Sequence, residues 1–233
     1  MKKYAQGTVE YEIENTKSNP TILPHKMAFY GDPTQGVCGD PVDVKPRLLL
    51  HACCGPCLAG TLANISEFFD ITVYFYNPNI MPKEEFNLRL DALKQVISHF
   101  DGIKLIVPNQ DESEYLPLVK GLETVPEGGS RCEICFDMRL RKTAEYFAEH
   151  RDEFDFFTTT LTISPLKNAK LINEIGARSA SEYGVAYLAS DFKKRDGYLK
   201  STTLCKQWGV YRQHYCGCRL EIGDSETRPC AVK

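Results

Sequence analysis

Hydrophobic residues follow two alternating patterns along the chain, and these patterns predict its secondary structure. Short apolar runs, typical of buried strands, occur at 47–51, 71–76, 104–107, 156–160 and 185–188. Between them, an apolar residue every three or four positions predicts helices at 58–69, 82–99, 116–122, 135–147 and 168–183. Strands that alternate with helices indicate βαβ units. The sequence therefore predicts an α/β fold, with a parallel sheet that carries helices on both faces.

Both ends of the chain depart from this pattern. Residues 1–46 contain several turns with Gly and Pro and no sustained period, which predicts an irregular N-terminal arm. We place the main α/β domain at 47–222 and a tail at 223–233. The stretch from Asp191 to Cys218 is polar, aromatic and basic, and we predict no regular element there.

Three turns of the predicted domain follow the carboxyl ends of strands. The turn 51–57 follows the first strand, 77–79 follows the second, and the hydroxyl-rich turn 158–164 follows the fourth. In a parallel sheet, ligands bind beyond the carboxyl ends of the strands. We therefore expect these three turns to share one rim and to form the functional site.

Seven of the ten cysteines fall into three tightly spaced groups, and these are Cys53, Cys54 and Cys57, then Cys132 and Cys135, then Cys216 and Cys218. The remaining Cys38, Cys205 and Cys230 stand alone, and we assign them no role. The chain has no bilayer-length apolar run and no hydrophobic signal core, so we expect a cytoplasmic protein without membrane contact. Thiols stay reduced in the cytoplasm, so the groups indicate a metal–thiolate or redox site rather than structural disulfides.

Each group has a spacing that suits metal binding. Cys57 lies one helical turn after Cys53 and Cys54, at a helix N-terminus that stabilises thiolates. Cys132 and Cys135 form a CxxC motif after a glycine-rich loop, which suits zinc, an iron–sulfur cluster or a thioredoxin-like couple. Together with Cys53 and Cys54 they supply four sulfurs, the number that a [4Fe–4S] cluster requires.

The third group leaves two interpretations open. Cys216 and Cys218, separated by one glycine, either bind a metal together or form a strained, redox-active disulfide. His214 precedes them as a candidate ligand or proton donor, and a surface histidine is an equally open interpretation.

The overall charge does not predict a nucleic-acid partner. The formal net charge is −3, from 28 basic and 31 acidic residues, so such a partner would need a local basic patch. The basic residues that we expect to contact phosphates are Lys193, Lys194, Arg195, Lys200 and Arg212. A solvated loop is the alternative interpretation of this stretch.

Six motifs together resemble the cobalamin-independent epoxyqueuosine reductases. They are His-Ala-Cys-Cys-Gly-Pro-Cys (51–57), Tyr-Asn-Pro-Asn-Ile (76–80), Cys-Glu-Ile-Cys-Phe-Asp-Met-Arg-Leu (132–140), Phe-Thr-Thr-Thr-Leu-Thr-Ile-Ser-Pro-Leu-Lys-Asn (157–168), Asp-Phe-Lys-Lys (191–194) and Tyr-Arg-Gln-His-Tyr-Cys-Gly-Cys (211–218). The motifs occur in the family's order, which makes 47–222 the expected iron–sulfur catalytic domain.

The resemblance implies a function and a set of cofactors. The family reduces epoxyqueuosine to queuosine in the anticodon loop of tRNA, the last step of queuosine biosynthesis. It uses a [4Fe–4S] cluster with a second metal ion beside it, iron or zinc, and electrons from an external donor. Its fold is similar to the adenine-nucleotide α-hydrolase group, known as HUP. The turn 53–57 lacks that group's phosphate-binding signature, so we do not expect ATP use.

The resemblance also implies residue roles. Cys53, Cys54, Cys132 and Cys135 would hold the cluster. Cys216 and Cys218 would form a redox pair or bind the second metal, and Cys57 would join them as a metal ligand, since aspartate occurs there in the family. His214 or Tyr215 would protonate the leaving oxygen.

Two other functions remain open at this point. A zinc-stabilised RNA-binding module would use the same sulfurs in tetrahedral sites without redox chemistry. A cluster-dependent tRNA thiolation enzyme would need an ATP-binding turn, which the sequence does not contain.

Overall fold

The computed structural model describes residues 28–30, 45–194, 196–213 and 215–218. The strands are β1 (Ala28–Tyr30), β2 (Arg47–His51), β3 (Asp70–Tyr74), β4 (Lys104–Ile106), β5 (Phe156–Thr159) and β6 (Tyr187–Ala189). The helices are α1 (Gly55–Ile65), α2 (Lys83–Ile97), α3 (Ser130–Glu149), α4 (Ala169–Tyr183) and α5 (Gly197–Trp208). The predicted α/β fold and all five predicted strands are confirmed.

The strands form one sheet in the order β1-β6-β5-β2-β3-β4. β2 to β6 run parallel, and β1 pairs antiparallel with β6 at the edge. From β2 the chain proceeds outward to β3 and β4, then crosses to β5 on the other side of β2. The strand order therefore reverses between β2 and β5, and such a reversal opens a crevice at the carboxyl ends of the two strands.

Helices cover both faces of the sheet, as predicted. α1, α2 and α5 pack on one face, and α3 and α4 pack on the other. β2 shows why its sequence is a continuous apolar run: Leu48 and Leu50 pack into the first layer and Leu49 into the second, each fully buried. None of the described helices combines the length and the apolar character that a bilayer crossing requires.

The structure corrects the prediction at three elements. The helix expected around 116–122 is a pair of short 3-10 turns, Glu112–Glu114 and Leu116–Val119, with Pro117 in the second turn where it removes a backbone donor. β1 adds an edge strand inside the arm that we expected to be irregular. The rest of that arm and the predicted tail lie outside the described residues.

The third correction is α5, which lies in the stretch where no element was predicted. Its buried positions are Gly197, Ser201 and Cys205, all small, while Leu199 is exposed. α5 packs so closely on α1 that a Cβ at Gly60 would lie only 2.7 Å from the Cβ of Ser201. A helix whose buried face is made of small residues has no apolar stripe that a sequence pattern can detect.

Candidate metal centre

The first group of cysteines lies at the crevice beside β2. Cys53 and Cys54 follow β2 directly, and Cys57 lies in the first turn of α1. All three sulfurs lie within 4.8 Å of one another, and those of Cys53 and Cys54 are 3.7 Å apart. Three thiols at this spacing, at the start of a helix, are able to bind one metal ion.

Contacts across the crevice fix the position of this turn. The backbone N–H of Cys53 donates to the Thr160 hydroxyl at 3.4 Å, which connects the end of β2 to the end of β5. On the other side, a Cβ at Gly55 would lie 2.6 Å from the carbonyl oxygen of Ala92 in α2. Glycine at this position therefore lets α1 begin against α2.

The second group lies in the first turns of α3. The side chains of Cys132 and Cys135 are buried, and the backbone N–H of Gly128 donates to the sulfur of Cys132 at 3.2 Å. Burial raises the pKa of both thiols, to about 11 for Cys135, and the charge of nearby Cys216 raises both further. The second and third groups are therefore close enough to interact electrostatically.

The third group lies in the segment 215–218, after α5. Cys216 is half-buried and Cys218 is buried, and Gly217 between them has a φ of 101°. The described cysteines are free thiols, so the structure shows Cys216 and Cys218 without a disulfide bond. Gln213, which precedes this segment, donates from its side-chain amide to the sulfur of Cys54 at 3.0 Å.

The first and third groups lie at one cleft of about 440 Å³, which we call the cysteine cleft. Its lining includes the thiols of Cys53, Cys57 and Cys216. It also includes the polar and charged side chains of Asn79, Arg89, Glu127, Arg139, Lys167, Arg212, Gln213 and Tyr215. The second described cavity lies between α3 and α4, and its lining contains none of the predicted site residues.

Hydrogen bonds among the thiols of the first group lower the pKa of one thiol and raise the pKa of the other two. Contacts with Cys54 and then Cys57 hold the pKa of Cys53 well below its usual value, and the charges of Lys167 and Arg139 act in the same direction. The hydrogen bond to Cys53 raises the pKa of Cys54 to about 12, and contacts with both neighbours raise the pKa of Cys57. Cys53 is therefore the thiol of this group that ionises most readily.

The third group shows the same division. The hydrogen bond with Cys218 lowers the pKa of Cys216, and the charges of Lys167, Arg139 and Arg89 lower it further. The same bond raises the pKa of Cys218. Cys216 is therefore the more readily ionised thiol of this pair, and it lines the cleft.

Buried cations accompany these thiolates. Arg89 and Arg139 are only 3% and 2% exposed, and both face the cleft. Burial alone would lower the pKa of Lys167, but the charges of Cys216, Cys53 and Cys57 raise it above its usual value. Buried charge is costly unless it is paired, so this set of cations suits an anionic group held by the thiols.

Unsatisfied polar atoms give a second indication of a bound group. Among the described residues, three such buried atoms belong to side chains that line the cysteine cleft, and they are Arg139 Nη2, Asn79 Oδ1 and Gln213 Oε1. Buried polar atoms normally have a partner. Convergent sulfurs, surrounding cations and an unpaired guanidinium donor together fit an anionic metal–thiolate group.

The remaining predicted residues are dispersed. Tyr215 and Arg212 line the cleft, whereas His214 and Arg195 lie outside the described residues. Lys193 pairs with Asp191 at 3.4 Å, Lys194 is exposed, and Lys200 donates to the Asn64 side chain at 2.7 Å. Of the described members of the basic set, only Arg212 reaches the cleft.

Sequence reasoning missed three cations that line the cleft, of which Arg89 and Arg139 are buried and Lys167 is partly buried. Arg139 lies one helical turn after Cys135, and Lys167 lies at the end of the hydroxyl-rich turn after β5. Arg89 lies four residues after Glu85, and both are buried on α2. A charged pair at helical spacing among the apolar positions of a helix was the signal that could have revealed Arg89.

Comparison with known proteins gives a consistent result. The profile of the family described as "Epoxyqueuosine reductase QueH" matches residues 48–222. A relative of that name from Streptococcus pyogenes is 44% identical over 180 residues, 75% of this chain and 70% of the relative. The relative from Haemophilus influenzae is 34% identical over 219 residues, 92% of this chain and 88% of the relative. The relative from Thermotoga maritima is 35% identical over 177 residues, 75% of this chain and 90% of the relative. The resemblance carried by the six motifs is therefore confirmed, and the chain belongs to the epoxyqueuosine reductase QueH family.

Proposed function

We propose that this protein is an oxidoreductase that converts epoxyqueuosine in a tRNA anticodon loop to queuosine. Membership of the family supports the reaction. The observation that carries the proposal is the cysteine cleft itself, in which thiols from two distant parts of the chain, the turn after β2 and the segment 215–218, meet buried cations at the reversal point of the sheet. A packed core requires neither these thiols nor the cations beside them.

We propose that Cys53, Cys54, Cys132 and Cys135 hold a [4Fe–4S] cluster. All four are buried, with Cys53 and Cys54 just before α1 and Cys132 and Cys135 in the first turns of α3. A cluster held by these residues would supply electrons one at a time. The cations beside the thiolates offset part of the negative charge that four thiolate ligands bring into a buried site.

Cys57, Cys216 and Cys218 are left to act beside the cluster. We propose that they bind a second metal, iron or zinc, or that Cys216 and Cys218 cycle between dithiol and disulfide. Cys57 and Cys216 line the cleft, where a substrate oxygen would enter. The two versions differ in what Cys57 must supply, because a disulfide cycle between the other two does not need its sulfur.

The reaction requires proton donors as well as electrons. Removing the epoxide oxygen takes two electrons and two protons, forms the alkene and releases water. We propose that Lys167 and Tyr215, both in the lining, donate to the leaving oxygen, with His214 as a further donor. The unpaired Nη2 of Arg139 is a further hydrogen-bond donor at the cleft and carries a positive charge that favours negative charge on that oxygen.

The tRNA substrate would approach the open side of the cleft. We propose that Arg212, at the cleft, contacts phosphates of the anticodon stem-loop together with Lys193, Lys194, Arg195 and Lys200 of the basic stretch. Such contacts would be local, in keeping with the formal charge of −3.

One experiment tests the reaction and the cofactor together. The protein is purified without oxygen, its iron, sulfide and visible absorption are measured, and it is incubated with a reductant and tRNA that carries epoxyqueuosine. We expect a brown protein and queuosine in the nucleoside digest, and no change in tRNA that already carries queuosine. A colourless zinc protein that binds tRNA without changing the nucleoside would overturn the proposal in favour of an RNA-binding module.

A further inference from the structure

A buried ion pair on α2 contacts the segment that carries Cys216 and Cys218. Arg89 Nε donates to Glu85 Oε1 at 2.6 Å, and both side chains are at most 6% exposed. A buried ion pair by itself contributes little net stability, because both charges lose their hydration. The other contacts of the pair therefore indicate what it does.

The remaining donors of the guanidinium bind the backbone beside the thiols. Arg89 Nη1 donates to the carbonyl oxygen of Cys216 at 2.8 Å, and Nη2 donates to that of Tyr215 at 2.9 Å. The guanidinium carbon also lies 5.3 Å from the centre of the Tyr215 ring. A planar fork with fixed donors holds two successive carbonyls in one orientation, which an ammonium group does not do.

The carboxylate of the pair binds the same segment further upstream. Tyr211 donates from its hydroxyl to Glu85 Oε2 at 2.8 Å, so both oxygens of Glu85 are used. The pair thus holds the chain at Tyr211, Tyr215 and Cys216.

Gly217 completes this arrangement. Its φ of 101° is one that side chains other than glycine rarely adopt, and a Cβ there would lie 2.9 Å from Arg89 Nη1. The Gly217 carbonyl accepts from the backbone N–H of Met81 at 2.9 Å, just before α2. The glycine between the two cysteines therefore lets the backbone turn against the guanidinium.

The segment 215–218 contains no helix or strand. Its position over the cleft therefore depends on contacts of this kind. We propose that Arg89, oriented by Glu85, is a positioning residue that sets the backbone of Cys216 and Cys218 against the thiols of α1 and α3. The catalytic part of this inference rests on the proposed function, whereas the placement of the two thiols does not.

Arg89→Lys tests the inference, since it keeps the charge and removes the fork. The anaerobically purified protein is exposed to iodoacetamide, and the alkylation rate of each cysteine is followed by peptide mass spectrometry. We expect Cys216 and Cys218 to react at least about tenfold faster, because the loss of one charge-assisted hydrogen bond shifts a local opening equilibrium by about that factor. Cys205, on the buried face of α5, should keep its wild-type rate, and iron content should be unchanged.

The kinetic readout separates positioning from substrate binding. We expect kcat to fall by roughly 10- to 100-fold, with KM for tRNA within about twofold of wild type, since Arg89 holds the segment rather than the substrate. Lys94→Gln is the matched control, because Lys94 lies on the same helix in an exposed pair with Asp91 at 3.6 Å. It should alter neither alkylation nor kcat.

Two results would overturn the inference. One is wild-type alkylation of Cys216 and Cys218 in Arg89→Lys, and the other is equal acceleration at every thiol of the cleft with loss of iron. If Arg89→Lys does not fold, Tyr211→Phe decides, since it removes a single bond to Glu85 and should still speed alkylation of both thiols. Alkylation and iron content need no substrate, so they remain interpretable even if the wild-type protein forms no queuosine.

Discussion

The side-chain amide of Gln213 donates a hydrogen bond to the sulfur of Cys54 at 3.0 Å, joining two residues 159 positions apart. This contact brings the segment after α5 directly onto the first turn of α1. Gln213 is therefore a hydrogen-bond donor to a candidate ligand sulfur, a role that the sequence analysis did not identify. If Cys54 binds the cluster, the contact also bears on how easily the cluster is reduced.

Gln213→Leu should therefore shift the reduction potential. Hydrogen bonds to ligand sulfurs stabilise the reduced, more negative cluster, so their removal should make the potential more negative. A net value of about 1 kcal/mol per hydrogen bond corresponds to a shift on the order of 40 mV for one electron. A redox titration followed by visible absorption measures it. Gln95→Leu is the control, because the Gln95 side chain donates to the Trp208 carbonyl far from the thiols, and there the potential should not move.

Cluster assembly should require Cys53, Cys54, Cys132 and Cys135 individually. Replacing any one by alanine opens a coordination position, so iron, sulfide and the brown colour should be largely absent. Cys205→Ala should retain all three, because Cys205 is buried against α1 and lies outside the cleft. Full iron content in all four single variants would show that the sulfurs are wrongly assigned.

Cys216 and Cys218 should separate cluster content from activity. Serine at either position should leave iron and absorbance near wild type and abolish queuosine formation, because these thiols act beside the cluster. Cys57→Asp then distinguishes the two versions of the site. A metal ligand at this position should tolerate a carboxylate with partial activity, whereas a disulfide cycle between Cys216 and Cys218 should be unaffected. Loss of iron in Cys216→Ser together with retention of iron in Cys54→Ser would show that Cys216 binds the cluster and Cys54 does not.

Binding of tRNA should depend on the basic residues near the cleft. Replacing Lys194 and Arg212 together by glutamine should weaken binding and reduce the log–log salt dependence by roughly two units, about one for each phosphate that is no longer neutralised. The control replaces Lys94 and Lys104 together by glutamine. Lys104 pairs with Asp70 at the amino end of β3, whereas the cleft lies at the carboxyl ends of the strands. Equal salt slopes for the two double variants would mean that the basic stretch does not touch the RNA.

The sequence predicted those elements whose buried residues are apolar and recur at a regular spacing. It did not predict elements whose buried residues are small or that depend on pairing with a distant part of the chain. The apolar run Arg47–His51 appeared as a strand because both faces of β2 are covered. α5 left no signal, since Gly197, Ser201 and Cys205 make its buried face. β1 is three residues long, and its antiparallel pairing with β6 depends on a partner far along the chain.

In the candidate site, too, some residues could be predicted from the sequence and others could not. Tight spacing marked the three groups of cysteines as candidate ligands, because thiols that share a ligand must lie on short, stiff backbone. The position of the turn 51–57 after the first predicted strand placed the first group at the rim of the sheet. The cations could not be predicted from spacing, since Arg89 and Arg139 reach the cleft from helices on opposite faces of the sheet. The hydrogen bond from Gln213 to Cys54 likewise requires the folded chain.

The central claim is that the cysteine cleft delivers two electrons to an epoxide on tRNA, and electron counting tests it most directly. Iron-loaded protein is mixed anaerobically with excess tRNA carrying epoxyqueuosine, limiting reductant is added in steps, and queuosine is measured by nucleoside mass spectrometry. The account predicts one queuosine for every two electrons added, and none with the Cys216→Ser protein of equal iron content. Iron-loaded wild-type protein that consumes the reductant without forming queuosine, or that forms queuosine without reductant, would contradict it.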